Sequence, residues 1–283
     1  MNGRDGRKGG QRGGRNRAHF DVIGGVAAVR AALAARPAAL RRLLLRADVA
    51  PGFGDVLSEM AAARLPYRVV EGEELDRAAG SDRHQGVVAT FTARPRLADA
   101  DVLAGVQRRG PGGAPRLWLY LDGVGNPHNL GAIARTAAHF GVDLLLQAGR
   151  QGAAAASAAA YRVAEGGLES VPLATLADPV ATLRAAREVA GLRLIGTAAD
   201  APIELLGGGD TAASRLASLG LERPVCWLLG EERDGLRPEI AALCDANVRI
   251  SGTGAVESLN VASTAAILLA ETRRRRLQSS VAR

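Results

Sequence analysis

The 283-residue chain contains only two cysteines and four histidines, and both scarcities narrow the kinds of site that it could form. Cys226 and Cys244 lack the paired spacing of a zinc site and are too few for a disulfide framework. Because each lies in or near an apolar segment, we expect small buried thiols in a reducing cytoplasm. The histidines are scattered without forming a ligand cluster, so no metal cofactor is predicted.

Long apolar runs are missing as well. No stretch of about 18 uninterrupted apolar residues occurs, which argues against a membrane span. The N-terminus is basic but has no apolar core segment, so it is not predicted to be a secretory signal. The length allows one large domain or two medium domains, each able to bury a core.

The net charge of +7 is concentrated at the N-terminus. Residues 1–18 contain six basic residues and one acidic residue, a charge of +5, which leaves +2 for the rest of the chain. This tail is rich in glycine and arginine without apolar periodicity, so disorder is predicted. Such a tail attracts RNA phosphates without reading sequence, although a purely solubilising role is an open alternative.

Alternating strand and helix patterns divide the remaining chain into two α/β parts. Residues 19–94 predict a small α/β domain, with helices at 21–33, 56–63 and 73–79 and strands at 43–45, 67–70 and 85–91. Residues 95–115 are rich in proline and glycine and predict a linker. Residues 116–283 predict a parallel sheet covered on both faces, with strands at 117–122, 142–147, 192–197, 224–229 and 247–251 and helices near 129–140, 153–165, 178–190, 236–243 and 260–277.

Three segments of the second part share one pattern, an apolar strand followed by a polar or glycine-rich loop. These loops follow the strands at 117–122, 225–229 and 248–250, and the last loop ends at Ser258-Leu259-Asn260, which opens a long apolar helix. A helix N-terminus presents free backbone N–H groups, and ligands of open parallel sheets bind beyond the carboxyl ends of strands. The three loops therefore predict a single ligand site. No dinucleotide glycine fingerprint follows the first strand, so a Rossmann cofactor site is not supported.

Residues 129–137, 229–236 and 250–262 resemble motifs one, two and three of the SpoU-type (TrmH) RNA ribose methyltransferases, a family of the SPOUT class. The resemblance covers about residues 114–277. It departs from the family pattern at Glu231, where asparagine is frequent, at Ser251-Gly252, which replaces a common Pro-Met, and at 161–167. The N-terminal part is similar to the ribosomal-L30e-like substrate-binding domain of such enzymes, with residues 84–89 as its final signature.

The resemblance implies a C-terminal trefoil knot and an S-adenosylmethionine-dependent transfer of methyl to a ribose 2′-hydroxyl of RNA. Ribosomal RNA is favoured over transfer RNA, because the small domain is shared with rRNA-directed members. A catalytically silent RNA-binding or ribosome-assembly factor on the same fold is the alternative. The family also implies a homodimer, and the final helix is apolar over more of its circumference from residue 261 to 269 than one contact face needs.

By the same resemblance, the catalytic set consists of Asn129, Arg135, Glu232, Ser258 and Asn260. Arg135 is the residue assigned to activating the hydroxyl, yet arginine is almost never deprotonated in proteins. An electrostatic role, gripping a phosphate and stabilising a developing alkoxide, is physically easier. Structural alternatives stay open: Arg135 as a surface arginine, Asn129 as a helix N-cap, Glu232 as an exposed loop acid, and Ser258 or Asn260 as a cap of the last helix.

The resemblance also implies the positions that contact the cofactor, which are Ala198, Leu229, Gly230, Ile250 and Leu259. An apolar lining with main-chain donors suits adenine, whose edge carries a donor and acceptors. These positions are predicted to hold S-adenosylmethionine without a metal ion.

Overall fold

The computed structural model describes residues 20–95, 97–106, 114–149, 153–154, 156–207, 217–231 and 234–281. The predicted tail at 1–18, part of the predicted linker and the predicted catalytic residue Glu232 therefore lie outside the described residues.

A four-stranded sheet with three helices forms the N-terminal domain. Its strands are β1 (Phe20–Gly24), β2 (Leu40–Leu45), β3 (Tyr67–Val69) and β4 (Val87–Thr92), in the order β1-β4-β2-β3. Strand β4 is antiparallel to β1 and β2, whereas β2 and β3 are parallel. The helices are α1 (Val26–Ala35), α2 (Gly54–Ala62) and α3 (Gly72–Ala79). The predicted small α/β domain is thus observed.

The start of this domain differs from the prediction of a helix at 21–33. Residues Phe20–Gly24 form β1, which pairs with β4 in a register that joins Ile23 to Ala89. Gly25 has a φ of 103°, a backbone region that favours glycine, and it separates the strand from α1. The prediction was wrong because the pairing partner lies more than 60 residues away, beyond the reach of local apolar spacing.

The second sheet has seven strands, all parallel, in the order β7-β6-β5-β10-β8-β11-β9. Its strands are β5 (Leu117–Asp122), β6 (Leu144–Ala148), β7 (Leu173–Leu176), β8 (Arg193–Thr197), β9 (Ile203–Glu204), β10 (Val225–Gly230) and β11 (Ala246–Arg249). The five predicted strands are present within a few residues of their expected bounds. The two unpredicted strands, β7 and β9, are short and lie at opposite edges of the sheet, where few apolar residues are needed.

Helices cover both faces of this sheet. They are α4 (Asp99–Gly105), α5 (Pro127–Phe140), α6 (Ala158–Ala164), α7 (Gly167–Ser170), α8 (Pro179–Ala190), α9 (Pro238–Ala241) and α10 (Val261–Val281). Successive residues of β5 enter different cores: Leu119 packs with the α5 and α10 side, and Trp118 with the α4 and α8 side. Because every β5 residue is buried, the strand is a continuous apolar run up to its last residue, Asp122.

Helix α4 lies within the segment predicted to be a linker. Its Val102 is buried against the core that contains Trp118. The Asp99 carboxylate accepts hydrogen bonds from the Ala177 backbone N at 2.8 Å and from the Thr182 hydroxyl at 2.8 Å. Although burial acts to raise it, these hydrogen bonds hold the pKa of Asp99 below its usual range. The described part of the predicted linker is therefore a helix docked on the second domain.

Candidate active site

The carboxyl ends of four neighbouring strands, β5, β10, β8 and β11, form one edge of the large sheet. Gly230 ends β10 opposite Asp122, the last residue of β5. Ala198 directly follows β8, and Ile250 directly follows β11. The structure thus brings together at this edge four of the five predicted cofactor positions: Ala198, Leu229, Gly230 and Ile250.

The loop that follows β10 folds back tightly over the end of its strand. The backbone groups of Glu231 and Gly235 exchange hydrogen bonds of 3.1 and 2.9 Å. A Cβ on Gly230 would come within 2.0 Å of the Gly235 backbone, so only glycine fits between the two chain segments. The side chain of Leu229 is buried in the apolar core, and the Ala198 N–H donates to the Val248 carbonyl at 3.1 Å. The backbone N–H of Ala198 is therefore hydrogen-bonded within the sheet.

A buried polar cluster anchors the far end of the same loop. The Asp122 carboxylate has no exposed surface and accepts hydrogen bonds from the Arg237 backbone N at 2.9 Å and Nε at 2.8 Å. The Tyr120 hydroxyl donates to it at 3.1 Å and accepts from Arg237 Nη2. Burial and the nearby Asp122 charge raise the pKa of Tyr120. Sequence reasoning missed this cluster, although an acid that ends a five-residue apolar run at a ligand-binding edge was a usable signal.

Helix α5 begins two residues earlier than predicted. Its N-cap is Asn126, whose side chain accepts a hydrogen bond from the His128 backbone N at 2.8 Å. The alternative interpretation of Asn129 as the N-cap is therefore wrong, since Asn129 is the third residue of the helix. Its side-chain oxygen accepts a hydrogen bond from Asn260 Nδ2 at 3.1 Å. This bond joins motif one to motif three across 131 positions of sequence.

Asn260 has a second role at the start of α10. Its side-chain oxygen accepts from the Ala262 backbone N at 2.9 Å, and its carbonyl accepts from the Thr264 N at 3.0 Å. The capping interpretation of Asn260 is thus confirmed, and the cap is compatible with the contact to Asn129. Ser258 and Leu259 lie in the loop at 251–260, which is exposed along its whole length in the single chain.

Ser251, one of the departures from the family pattern, has a defined partner. Its backbone N donates to Glu204 Oε1 at 3.1 Å, and its hydroxyl donates to the other oxygen of the same carboxylate. Arg249 Nε also donates to Glu204, at 3.1 Å. Burial acts to raise the pKa of Glu204, but these hydrogen bonds hold it below its usual range. Ser251 therefore attaches the start of the motif-three loop to the edge strand β9, which carries Glu204.

Arg135 lies on α5 with 59% of its side chain exposed, and its Nη2 forms an ion pair of 3.0 Å with Glu165 Oε2. Glu165 follows α6 directly and was not among the predicted site residues. Its only signal in the sequence was its position inside the segment 161–167, which departs from the family pattern. The interpretation of Arg135 as a surface residue agrees with its exposure and does not conflict with a functional role.

The segment from α6 to α7 also joins this edge to the N-terminal domain. The carboxylate of Glu169, 3% exposed, binds Arg36 Nη2 at 2.9 Å and the guanidinium of Arg94. Arg36 also binds Asp21 at 2.9 Å, and the Tyr161 hydroxyl donates to Asp21 at 3.1 Å. A continuous apolar core runs from α1 and β4 to α5 and β10. The two domains are therefore packed together through both apolar and ionic contacts.

Two kinds of feature are absent from the described part of the chain. There, no helix is both long and apolar enough to cross a bilayer, and no group of three or more His, Cys, Asp or Glu residues could hold a metal ion. Cys226 is buried as predicted, whereas Cys244 is only partly buried. Burial raises the pKa of Cys244 to about 11.

Comparisons with known proteins match both halves of the chain. A family model described as the SpoU rRNA methylase family matches residues 116–270, and a model for RNA 2′-O ribose methyltransferase substrate binding matches residues 22–97. The chain is 40% identical over 223 residues to the 23S rRNA (guanosine-2′-O-)-methyltransferase RlmB of Nitrosomonas europaea, covering 78% of each chain. It is 34% identical over 261 residues to RlmB of Bordetella pertussis, covering 92% of this chain and 99% of the relative.

Among solved structures, the chain is similar to the SpoU methyltransferase AviRb from Streptomyces viridochromogenes in complex with AdoMet. The two share 25% sequence identity with a TM-score of 0.72, and the match covers 95% of each chain.

Proposed function

This chain belongs to the SpoU rRNA methylase family, and we propose that the ribose it methylates is that of a guanosine in 23S ribosomal RNA. The chain is an S-adenosylmethionine-dependent RNA ribose 2′-O-methyltransferase. The names of both RlmB relatives support the assignment to guanosine in 23S rRNA. The support is stronger because the relative from Bordetella pertussis aligns over both domains of this chain. A ribosomal RNA substrate also supports a cytoplasmic location.

The predicted cofactor positions fit an adenine-containing group. The side chain of Ile250, at the end of β11, is partly buried and packs against the core. Leu259 is 41% exposed and available for apolar contact. Between them the exposed loop presents main-chain groups, which suit the polar edge of adenine. We assign the binding of S-adenosylmethionine to Ile250, Leu259 and the tight turn at Gly230, with Leu229 and Ala198 supporting the strand ends. When bound, the cofactor supplies an electrophilic methyl group, and the proposed site needs no metal.

The hydrogen bond between Asn129 and Asn260 is the observation that carries the catalytic assignment. It brings two predicted catalytic residues from opposite ends of the domain into direct contact, beside the motif-three loop that contains Ser258. Arg135 lies six residues further along α5, roughly 9 Å along the helix axis. We infer that its protonated guanidinium binds the substrate phosphate and stabilises the developing alkoxide, since it is not a practical base. Glu232 remains proposed as a partner of Arg135, of Asn129 or of the substrate.

A homodimer is the assembly that this surface favours. The loop at 251–260 exposes 73% of Val256 and 41% of Leu259. On α10, Leu268 and Leu269 are buried within the chain, but Ile267 is only partly covered. A second copy that covers these side chains would also enclose the cofactor loop, and pairing of identical surfaces is the commonest symmetry. Sedimentation velocity should give a dimer mass, and a stable monomer at micromolar concentration would contradict the proposal.

The function is tested by methyl transfer from labelled S-adenosylmethionine to 23S rRNA. The RNA should come from a strain that lacks the corresponding gene, with RNA from the parent strain as an already methylated control. We expect label on one guanosine 2′-oxygen, identified by nucleotide mapping, and little label on the parental RNA. Label on transfer RNA or on another nucleotide would contradict the proposed substrate. Specific RNA binding without any label would favour the silent RNA-binding factor instead.

A further inference from the structure

We propose that Glu165 is a positioning residue that orients the guanidinium of Arg135 for methyl transfer. The inference rests on the proposed role of Arg135. It is carried by three separate features of the α6–α7 segment: the ion pair, the backbone conformation at Glu165 and the contact of this segment with α5.

The ion pair is placed for function more than for stability. Arg135 Nη2 and Glu165 Oε2 are 3.0 Å apart, and the two side chains are 59% and 45% exposed. An exposed pair of this kind contributes little to folding, because water screens the charges and two long side chains lose freedom. The pair instead occupies one N–H of a guanidinium that has five, which leaves the other donors for a phosphate or a developing oxyanion.

The backbone of Glu165 is strained. Its φ of 44° lies in the left-handed region, where only a few per cent of residues other than glycine occur. The residue ends α6, and its N–H is hydrogen-bonded to the carbonyls of Tyr161 and Arg162. Glycine or asparagine would close such a turn with less strain. The turn alone therefore does not explain a glutamate here, whereas a carboxylate aimed at Arg135 does.

The turn that carries Glu165 is pressed against the backbone of Arg135. A Cβ on Gly167 would come within 2.5 Å of the Ala134 carbonyl oxygen and 2.6 Å of the Arg135 nitrogen. On the other side of the helix contact, a Cβ on Gly131 would come within 2.6 Å of the Ala160 carbonyl oxygen. The two segments thus approach backbone to backbone at both ends, and the turn that carries the carboxylate is held beside the arginine that it binds.

A carboxylate on this turn acts by restricting the long Arg135 side chain before the substrate arrives. Catalytic groups that are already oriented need less rearrangement in the transition state. Removal of the carboxylate should therefore lower kcat, with little change in the KM for RNA or for the cofactor.

The test compares four proteins in steady-state methyl transfer: the wild type, Glu165→Gln, Glu165→Asp and Glu188→Gln. Glu188 is an exposed glutamate on α8 and serves as the matched control. We expect kcat to fall about tenfold in Glu165→Gln, less than the roughly 100- to 1000-fold loss on removing a group that itself contacts the transition state, because Glu165 acts through Arg135. Glu165→Asp keeps the charge and should retain more activity than Glu165→Gln. The control should match the wild type.

Two further variants separate positioning from folding. Glu165→Asn suits the left-handed backbone, so its melting temperature should not fall below that of the wild type, while its kcat should fall as in Glu165→Gln. In an Arg135→Ala background, where no cation is left for the carboxylate to orient, Glu165→Gln should change the residual kcat less than twofold. Independent effects in this cycle would indicate a structural role and would overturn the proposal.

The remaining outcomes are equally decisive. An active wild type with an equally active Glu165→Gln removes the positioning role alone. A Glu165→Gln variant that is faster, or that binds RNA more tightly, would show that the substrate must break the ion pair before it can bind Arg135. That result would overturn the positioning role. A wild type that transfers no methyl group removes the proposed function and this inference together.

Discussion

Glu165 and Glu169 lie four residues apart on the α6–α7 segment, and both bind arginine, yet their surroundings differ. Glu169 is 3% exposed and binds two arginines, Arg36 and Arg94. Glu165 is 45% exposed and binds Arg135 on the surface of α5. Arg36 also lies 4.9 Å over the ring of Phe91, so its planar group is packed as well as paired.

The difference indicates what each pair does. A buried charge whose partners are removed is costly, so the Glu169 cluster fastens the N-terminal domain to the catalytic domain. An exposed pair is weak, and its arginine stays accessible to a substrate from solvent. One short segment therefore holds the proposed RNA-binding domain at one end and a proposed catalytic side chain at the other.

The largest expected effect is on the exposed side. Arg135→Ala should lower kcat about 100- to 1000-fold, the usual cost of removing a group that stabilises charge in a transition state. The melting temperature and the affinity for S-adenosylmethionine should stay near those of the wild type, because the side chain is mostly exposed. Steady-state kinetics and calorimetry measure these quantities. Turnover close to normal would remove the catalytic assignment of Arg135.

On the buried side, the expected effect is on stability. Glu169→Gln should reduce the free energy of unfolding by about 3 kcal/mol, the lower end for breaking a buried ion pair, because Arg36 keeps Asp21 as a partner. The control is Glu74→Gln, whose carboxylate is 30% exposed and also binds two arginines, Arg68 and Arg42, so its loss should cost no more than ~1 kcal/mol. Denaturant unfolding of both variants gives the comparison. Equal losses in the free energy of unfolding would mean that the burial of Glu169 does not increase the stabilising effect of its ion pairs.

The sequence predicted the parts of the fold that depend on local pattern. The strand at 117–122 was predicted residue for residue, because all six residues are buried and apolar ones dominate. Strand β1 and helix α4 were not predicted, since their stability comes from distant partners in β4 and α8. The trefoil knot stays a prediction that the family resemblance implies.

The candidate site also has parts that the sequence predicted and parts that depend on distant contacts. Three loops at one sheet edge were predicted because ligands of a parallel sheet bind beyond the carboxyl ends of its strands, and the family resemblance implied Asn129 and Asn260. Their hydrogen bond could not be read from spacing, because it depends on how α10 packs against α5. Glu165 was missed for a similar reason: only the close backbone contact at Gly167 brings its turn to Arg135. The role of Glu232 stays a prediction.

The smallest expected effect concerns Glu204, a carboxylate whose side-chain exposure of 20% lies between those of Glu165 and Glu169. Its folded-state pKa lies below the ordinary value of 4.5, mainly through hydrogen bonds that include Ser251. A lowered folded pKa adds stability above the unfolded pKa, and this stability is lost as the pH falls through the folded value. Ser251→Ala should therefore cost roughly 0.5 kcal/mol at pH 7 and less below about pH 4.

The matched control for this pH dependence is Ser279→Ala. The Ser279 hydroxyl donates to the Arg275 carbonyl at 3.1 Å, an acceptor that does not titrate. Its change in stability, of either sign, should be the same at both pH values, as measured by urea unfolding. If Ser251→Ala also shows a loss that is independent of pH, the hydroxyl stabilises the loop without acting on the Glu204 charge. A loss that vanishes in acid would instead show that an ionised carboxylate holds the start of the motif-three loop. Glu204 would then be intermediate between the exposed pair at Arg135 and the buried cluster at Glu169.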